Sequence, residues 1–497
     1  MRYREYLIRR YRALLGYSGL LLMIIGVMLL APLLVIPFFP EEIRYAGSFI
    51  LTTMTLIVPG YMLWRLHIPK DPISLTVQES MVIVVIIWLV AIICAALPFM
   101  TVLNLNFTQA IFETTSGLTT TGLSVVDVTT APHVILFYRS YIQLLGGAGF
   151  VIIALSAIAG PAGPGLSIAE GRGEQLAPHV RESAAIVLRI YIAYIVIGVL
   201  ALILAGMGPF DAVNHAFAAI ATGGFSTKPE SIGYWDSPLI EAIIMVLMLL
   251  GALNFLTAYT LLRRKFGPIV RNGEVRLQTT VIIIASISLL VITTSSLYPT
   301  FEKSLRVALF ETVSALSGTG YSTVSHINWN AFGLLLMSIL MTIGGGTSST
   351  AGGLKQYRVY VLYKAIKWEF WRAFLPQHVI NQPAVWQGQA RGFLTDERVR
   401  QVALFAFLYL AVLVLGTAVV AAHGYPLGES LYEFSSALGT AGLSVGITHP
   451  EAPSSLLWTF TIGMFLGRLE FFAVLIGLAK LAADIRILIQ SGKKRAV

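Results

Sequence analysis

Cysteine is nearly absent from this chain. Cys94 is the only one, so no intrachain disulfide forms and no cysteine-based zinc spacing exists. Charge is scarce too. Asp, Glu, Lys and Arg together make up 12% of 497 residues, where a soluble chain carries roughly 25%. A string of soluble domains is excluded despite the length. The apolar runs hold no paired acids, histidines or activated nucleophile, and no cofactor fingerprint appears, so the chain does not read as an enzyme. Apolar sequence is what it has in abundance: 56% of residues are hydrophobic and the mean hydropathy is +0.78. That is the composition of a polytopic membrane protein.

The N-terminus places basic residues before an apolar run from Leu20 to Phe38. A signal peptide has that shape, but this run is long enough to span a bilayer and many others follow, so it reads as a first transmembrane helix. Residues 17–38 and 44–66 form two hydrophobic segments with nothing unusual between them. After them one pattern recurs four times: an apolar run, a short polar-and-glycine stretch, a second apolar run. The pairs of runs lie at 79–100 and 133–158, 183–206 and 238–262, 277–298 and 331–363, 400–422 and 455–490.

The intervening stretches are FETTSGLTTTGLS (112–124), NHAFAAIATGGFS (214–226), FETVSALSGTGYS (310–322) and YEFSSALGTAGLS (432–444). Laid over one another without gaps, they put Gly122, Gly224, Gly320 and Gly442 in one column. Leu123, Phe225, Tyr321 and Leu443 follow, then Ser124, Ser226, Ser322 and Ser444. Repetition of this kind outranks any single motif. The expected organisation is all-α with ten spans. An N-terminal two-helix segment (1–75) precedes repeats at 76–160, 161–266, 267–365 and 398–497, and a connector occupies 366–397.

Each stretch reads as a half-helix breaking into an extended loop between two spans. Irregular backbone at membrane depth persists only where it is enclosed by protein or lines a cavity. Glycine opens conformations that let successive carbonyls face one way, and a ring of carbonyl oxygens replaces the hydration shell of a cation. A half-helix aimed inward adds the negative end of its dipole. The competing reading is small-residue helix packing.

Basic residues set the topology. Only Arg44, Lys228, Lys303 and Arg306 fall on one side. Arg139, Arg189 and Arg468 lie within or beside apolar runs, and all the other Lys and Arg fall opposite. Both termini and the connector are therefore expected on the cytoplasmic side, with the four stretches facing outward. Acids among the outer loops, Asp127, Asp211, Glu230 and Asp236 among them, either form a negative vestibule or simply fill a side from which basic residues are excluded.

The third copy, Ser317-Gly-Thr-Gly-Tyr-Ser322, is close to the TVGYG filter of potassium channels. With the fourfold glycine column and two extra N-terminal helices, the chain resembles the Trk/Ktr/HKT superfamily of potassium transporters, in particular its bacterial TrkH/TrkG branch. The resemblance implies potassium uptake through one pore per chain. The filter would be formed by Thr120, Thr121 and Gly122; Thr222, Gly223 and Gly224; Gly318, Thr319 and Gly320; and Thr440, Ala441 and Gly442. A serine at the first glycine accompanies sodium transport in some plant relatives, so Gly122 implies potassium preference. The resemblance also implies the cytoplasmic membrane of a prokaryote, a homodimer, and a cytosolic nucleotide-binding regulatory subunit similar to TrkA. The chain itself would carry no cofactor, potassium being substrate and any nucleotide acting through that partner.

Two further features sit after the filters. Gly344, Gly345, Gly346, Thr347, Ser348, Ser349, Thr350, Gly352 and Gly353 form a run that no ordinary helix sustains, since each glycine costs about 1 kcal/mol against alanine. The run fails the phosphate-loop pattern because Leu354 precedes Lys355 and Gln356 follows it. A mid-membrane break remains, either a passive kink or, as the resemblance implies, a gate beneath the filter. Arg468 is an ionisable group in an apolar run. It either forms a buried pair, for example with Glu470, or, as the resemblance implies, an electrostatic barrier below the filter. Glu113, Glu311 and Glu433 share a column with His215 and are expected to cap or anchor the half-helices. A secondary transporter with broken helices is the rival class, but such folds show inverted repeats, and these four run in one orientation.

Overall fold

A computed structural model describes residues 2–69, 75–148, 180–374, 383–387 and 390–493. Parts of the sequence reading lie outside these residues: the end of the first repeat's second run with Gly149, the start of the second repeat with Arg172, Lys70, Lys494 and Arg495, and residues 375–382 of the connector.

Helices Arg2–Met28 and Ala46–His67 pack as an antiparallel pair. Gly19 and Gly60 face each other there so closely that a Cβ on either would meet the other's carbonyl oxygen at 2.5–2.8 Å, a small-residue contact of the kind that joins helices in lipid. The expected run to Phe38 is not one helix. It stops at Met28, and Pro32, Pro37 and Pro40 turn the chain through two 3-10 segments, Ala31–Phe38 and Pro40–Tyr45, because proline removes the donor that an α-helix requires. Six described helices are long and apolar enough to cross a membrane, and the pair Pro238–Ala252 and Phe255–Leu262 meets that test jointly across a 118° bend.

All four stretches form the expected half-helix: Phe107–Leu118, Pro209–Ile220, Phe301–Ser317 and Leu427–Leu438. Their packing is cyclic. The half-helix of repeat 2 lies against Pro132-capped His133–Ala148 of repeat 1, and that of repeat 3 against Pro238–Ala252 of repeat 2. The half-helix of repeat 4 lies against Ala331–Ile343 of repeat 3, and that of repeat 1 closes the circle on Ser454–Leu469 of repeat 4. Each repeat thus leans on the one before it, so the four half-helices surround a common axis.

The second span of a repeat is broken more often than the sequence suggests. The glycine-rich run ends one helix at Ile343, and the next begins at Gln356. Repeat 2 breaks at Leu253–Asn254, where Asn254 caps the new helix through Leu256 N (2.8 Å). Repeat 4 breaks at Glu470, whose φ is 60°. Neither site carries a glycine run, which is why 238–262 and 455–490 read as continuous.

The connector also differs from the all-α expectation. It begins inside helix Gln356–Arg372 and contains an antiparallel hairpin, Ala384–Gln387 with Ala390–Phe393, in which Val385 pairs with Gly392. Val385 is buried with Val361, Leu394 and Val402, and that small apolar cluster holds the hairpin against the helices.

Candidate functional site

The four half-helices end alike. In each, the second residue past the helix end, or its equivalent, is left-handed: Thr120 (φ 57°), Thr222 (53°), Gly318 (68°) and Thr440 (50°). The amide of the next residue reaches back to a carbonyl five positions earlier: Thr121 to Ser116, Gly223 to Ala218, Thr319 to Ser314 and Ala441 to Ser436, at 2.8–3.1 Å. This is a Schellman ending. Three copies place threonine where glycine is preferred, at a cost of about 1–3 kcal/mol each. What the threonines retain is a hydroxyl. Those of Thr120 and Thr440 are buried without a protein hydrogen-bond partner among the described residues, and that of Thr222 meets Thr350 Oγ1 at 2.9 Å.

The glycine column follows, left-handed throughout: Gly122 (φ 99°), Gly224 (73°), Gly320 (81°) and Gly442 (83°). Each is pressed against the loop of the next repeat. A Cβ on Gly122 would lie 2.3 Å from the Gly223 carbonyl oxygen. One on Gly224 would lie 2.1 Å from that of Thr319, one on Gly320 1.8 Å from that of Ala441, and one on Gly442 2.1 Å from that of Thr121. Glycine is therefore required twice at each position, by conformation and by space. The sequence column becomes a closed ring in chain order, with the carbonyls of the preceding residues at each junction. All four glycines line one cavity of about 680 Å³.

Of the outer-loop acids, Asp127 and Glu230 reach this cavity, together with Arg139 and Lys228. Lys228 is paired with Asp211 at 3.5 Å. The mouth is thus a mixed polar surface rather than a ring of acids.

The acid column has another role than helix capping. Glu113 lies midway along its half-helix and accepts from Val125 N (2.9 Å) and Ser124 Oγ (2.9 Å) of the returning segment. Glu311 accepts from Thr323 N (2.7 Å) and Oγ1 (2.9 Å) and faces His326 Nε2 at 3.1 Å. Glu433 accepts from Val445 N, Ser444 Oγ, Thr448 N and Thr448 Oγ1 at 2.6–3.0 Å. These carboxylates anchor the chain after the glycine loop, and helix-start preference does not account for them. His215 does the same with neutral chemistry. Its Nδ1 donates to the Asp211 carbonyl (2.8 Å), which leaves Nε2 to accept from Ser226 Oγ (2.9 Å).

Arg139 supports two loops at once. It donates to Glu113 Oε1 (2.8 Å), Ser124 Oγ (2.8 Å) and the Ser226 carbonyl (3.1 Å), and lies over the Phe225 ring at 4.1 Å. Gln143 braces the second loop: its Nε2 donates to the Gly223 carbonyl (2.5 Å) and its Oε1 accepts from Phe225 N (3.1 Å). Tyr321 Oη donates to the carbonyls of His215 and Phe225 (both 3.2 Å). Gln143 was not singled out in the sequence, where its only mark is being an amide in an apolar run.

The glycine-rich run lies directly beneath the ring. A Cβ on Gly352 would sit 2.2 Å from Thr440 Oγ1, and Thr350 Oγ1 lies 3.0 Å from the Gly251 carbonyl and 3.3 Å from that of Ile220. Gly344 reverses the chain (φ 70°) and abuts Gly352, where a Cβ would meet the carbonyl oxygen at 2.1 Å. Gly345 packs on Ala351, Gly346 N donates to the Ala252 carbonyl (2.9 Å), and Ser349 Oγ donates to the Gly346 carbonyl (2.6 Å). Ser348 is left-handed at φ 54°, and Gly353 returns the chain at φ 81°. Thr347 is held from outside the run, by Glu274.

Arg468 reaches this loop. It donates Nη1 to the Thr350 carbonyl and Nη2 to the Gly146 carbonyl (2.5 Å), joining repeats 4, 3 and 1. Glu470, the partner considered for it, pairs with Arg358 at 2.8 Å instead. Gly146 itself packs on the end of the first half-helix, where a Cβ would lie 1.8 Å from the Leu118 carbonyl oxygen.

Four half-helices converging on a ring of glycine loops define a multi-pass membrane protein of the pore-loop class, folded from four repeats of one chain. Residues 47–485 match the family model described as "TrkH: Cation transport protein". The Trk system potassium uptake protein TrkH of Escherichia coli K12 is 32% identical over 486 residues, covering 94% of this chain and 98% of that protein. TrkG of the same organism is 29% identical over 485 residues, covering 94% and 97%. The crystal structure of the potassium transporter TrkH from Vibrio parahaemolyticus superposes with a TM-score of 0.81 at 30% identity, covering 94% of this chain and 98% of that one. The chain belongs to the TrkH cation transport family.

Proposed function

We propose that this chain carries out potassium uptake across a prokaryotic cytoplasmic membrane, through a filter formed by residues 120–122, 222–224, 318–320 and 440–442. The observation that carries the reading is the ring in which each column glycine packs against the carbonyl preceding the next repeat's glycine. Four backbone segments held at one level by opposed half-helices are suited to replacing a cation's hydration shell, and the helix dipoles favour positive charge at the centre. The unpartnered hydroxyls of Thr120 and Thr440 supply further oxygen at the inner end. The names of the relatives support potassium as the ion.

The run from Gly344 to Gly353 acts as the gate. Its contacts with Thr440, Thr222 and Arg468 occupy the space under the ring, so the conformation described is the closed one. Arg468 fastens the loop and sets a positive charge below the filter. The reading takes ten crossings, each broken second span being one, with both termini cytoplasmic on the strength of the basic-residue asymmetry. A homodimer and a cytosolic nucleotide-binding partner of the TrkA kind complete the assembly, in keeping with the "Trk system" of the relatives' names.

Rubidium uptake into proteoliposomes containing the full chain, with potassium and sodium as competitors, tests the proposal. Uptake blocked by potassium far more than by sodium is expected. Absence of cation flux would reject the pore, and equal competition would reject the selective filter.

A further inference from the structure

We infer that Glu274 is a positioning residue for the gate, a carboxylate latch that holds the glycine-rich loop closed from the side opposite the filter. The inference rests on the gate reading above, and no sequence motif points to it.

Glu274 is 3% exposed and opens the helix Gly273–Leu289 of repeat 3. Its Oε1 accepts both the backbone N–H (2.8 Å) and the hydroxyl (2.6 Å) of Thr347. A carboxylate is the strongest acceptor a side chain offers. Here it takes a main-chain donor that the break in the helix leaves without its usual partner. The latch is itself fixed. Asn272 Oδ1 accepts from Glu274 N (3.0 Å), and Asn272 Nδ2 donates to Thr257 Oγ1 (3.0 Å) on the helix beyond the 118° bend of repeat 2. Gly346, beside Thr347, is bonded to Ala252 at the same bend. One limb of the loop is therefore tied to the bend and to Glu274, while the other limb, at Thr350, is tied to Arg468. Releasing the loop requires both limbs to let go. A buried carboxylate whose role were only to stabilise its own helix would not direct its oxygen at two donors of a neighbouring loop.

The test uses the full chain in proteoliposomes, with Glu274→Ala, Thr347→Val and Thr347→Ser. Each is also made with Ser348→Cys in a Cys94→Ala background, for labelling by a water-soluble maleimide. Glu274→Ala is expected to raise rubidium flux about tenfold or more, with the potassium-over-sodium preference unchanged and labelling at position 348 faster. Thr347→Val, which keeps only the amide donor, gives a smaller rise, and Thr347→Ser, which keeps both donors, matches the parent. Should Glu274→Ala fail to fold, Thr347→Val gives the same readout from the other partner. Unchanged flux together with unchanged labelling in a folded variant overturns the latch. Faster labelling without a change in flux upholds the latch and rejects the loop as the gate.

Discussion

Gly320 and Ala441 stand so close that a Cβ on the first would lie 1.8 Å from the carbonyl oxygen of the second. This is the tightest of the four junctions, and it joins the copy most like a potassium filter to the copy with alanine before its glycine.

Gly320→Ala is therefore expected to abolish potassium-selective flux, because both the positive φ and the carbonyl contact oppose a side chain. Gly122→Ser meets the Gly223 carbonyl at 2.3 Å, an oxygen that Gln143 holds. It should displace that oxygen without closing the pore and raise sodium competition severalfold. Rubidium uptake against sodium measures both; unchanged preference in Gly122→Ser would separate the ring from selectivity.

Arg468→Ala removes donors from the Thr350 and Gly146 carbonyls. Hydrogen bonds from a charged donor contribute about 1.5–3 kcal/mol each, enough to shift a closed loop toward open by tenfold or more. Flux should rise while the melting temperature in detergent changes little. Arg468→Lys keeps the charge but cannot span both carbonyls. If Lys behaves as Arg, the residue acts as a barrier of charge; if it behaves as Ala, it acts as a strap.

Arg139 and Glu113 form a pair at 2.8 Å with side chains 3% and 0% exposed. Arg139→Ala leaves a buried carboxylate without its cation, which costs about 3–5 kcal/mol. The expected result is a large drop in melting temperature. Ser444→Ala removes one of four donors from the Glu433 carboxylate and should cost about 1.5–3 kcal/mol.

On the mouth side, hydrogen bonding to Lys303 holds the Asp236 carboxyl below its usual range, with Arg306 adding to it. A depressed carboxyl contributes stability above its unfolded value that is lost as pH falls through its folded one. Acidification below about pH 4 should therefore loosen the loop from the start of the third half-helix. Asp236→Asn should remove that part of the acid sensitivity, read as the melting temperature across pH 3–6.

The four-repeat plan, the half-helices, the glycine column and the break at Gly344 were all legible in the sequence. Each rests on a local rule: apolar length sets a span, a recurrent pattern sets a repeat, and a run of glycines ends a helix. The breaks at Asn254 and Glu470 were not legible, since a single capping asparagine or one left-handed glutamate leaves no mark in an apolar run. Nor could spacing tell what the acid column binds. Glu113, Glu311 and Glu433 meet their donors only after the chain has passed through the glycine loop and returned.

The sequence by itself determined that Gly122, Gly224, Gly320 and Gly442 are equivalent. Tertiary structure alone decided that each abuts the next in a closed circle, because those contacts join residues far apart in the chain through the packing of every half-helix on the preceding repeat. The same holds for Gln143 and Glu274. Their residue types are ordinary, and their roles arise from the carbonyls and amides that the fold carries to them.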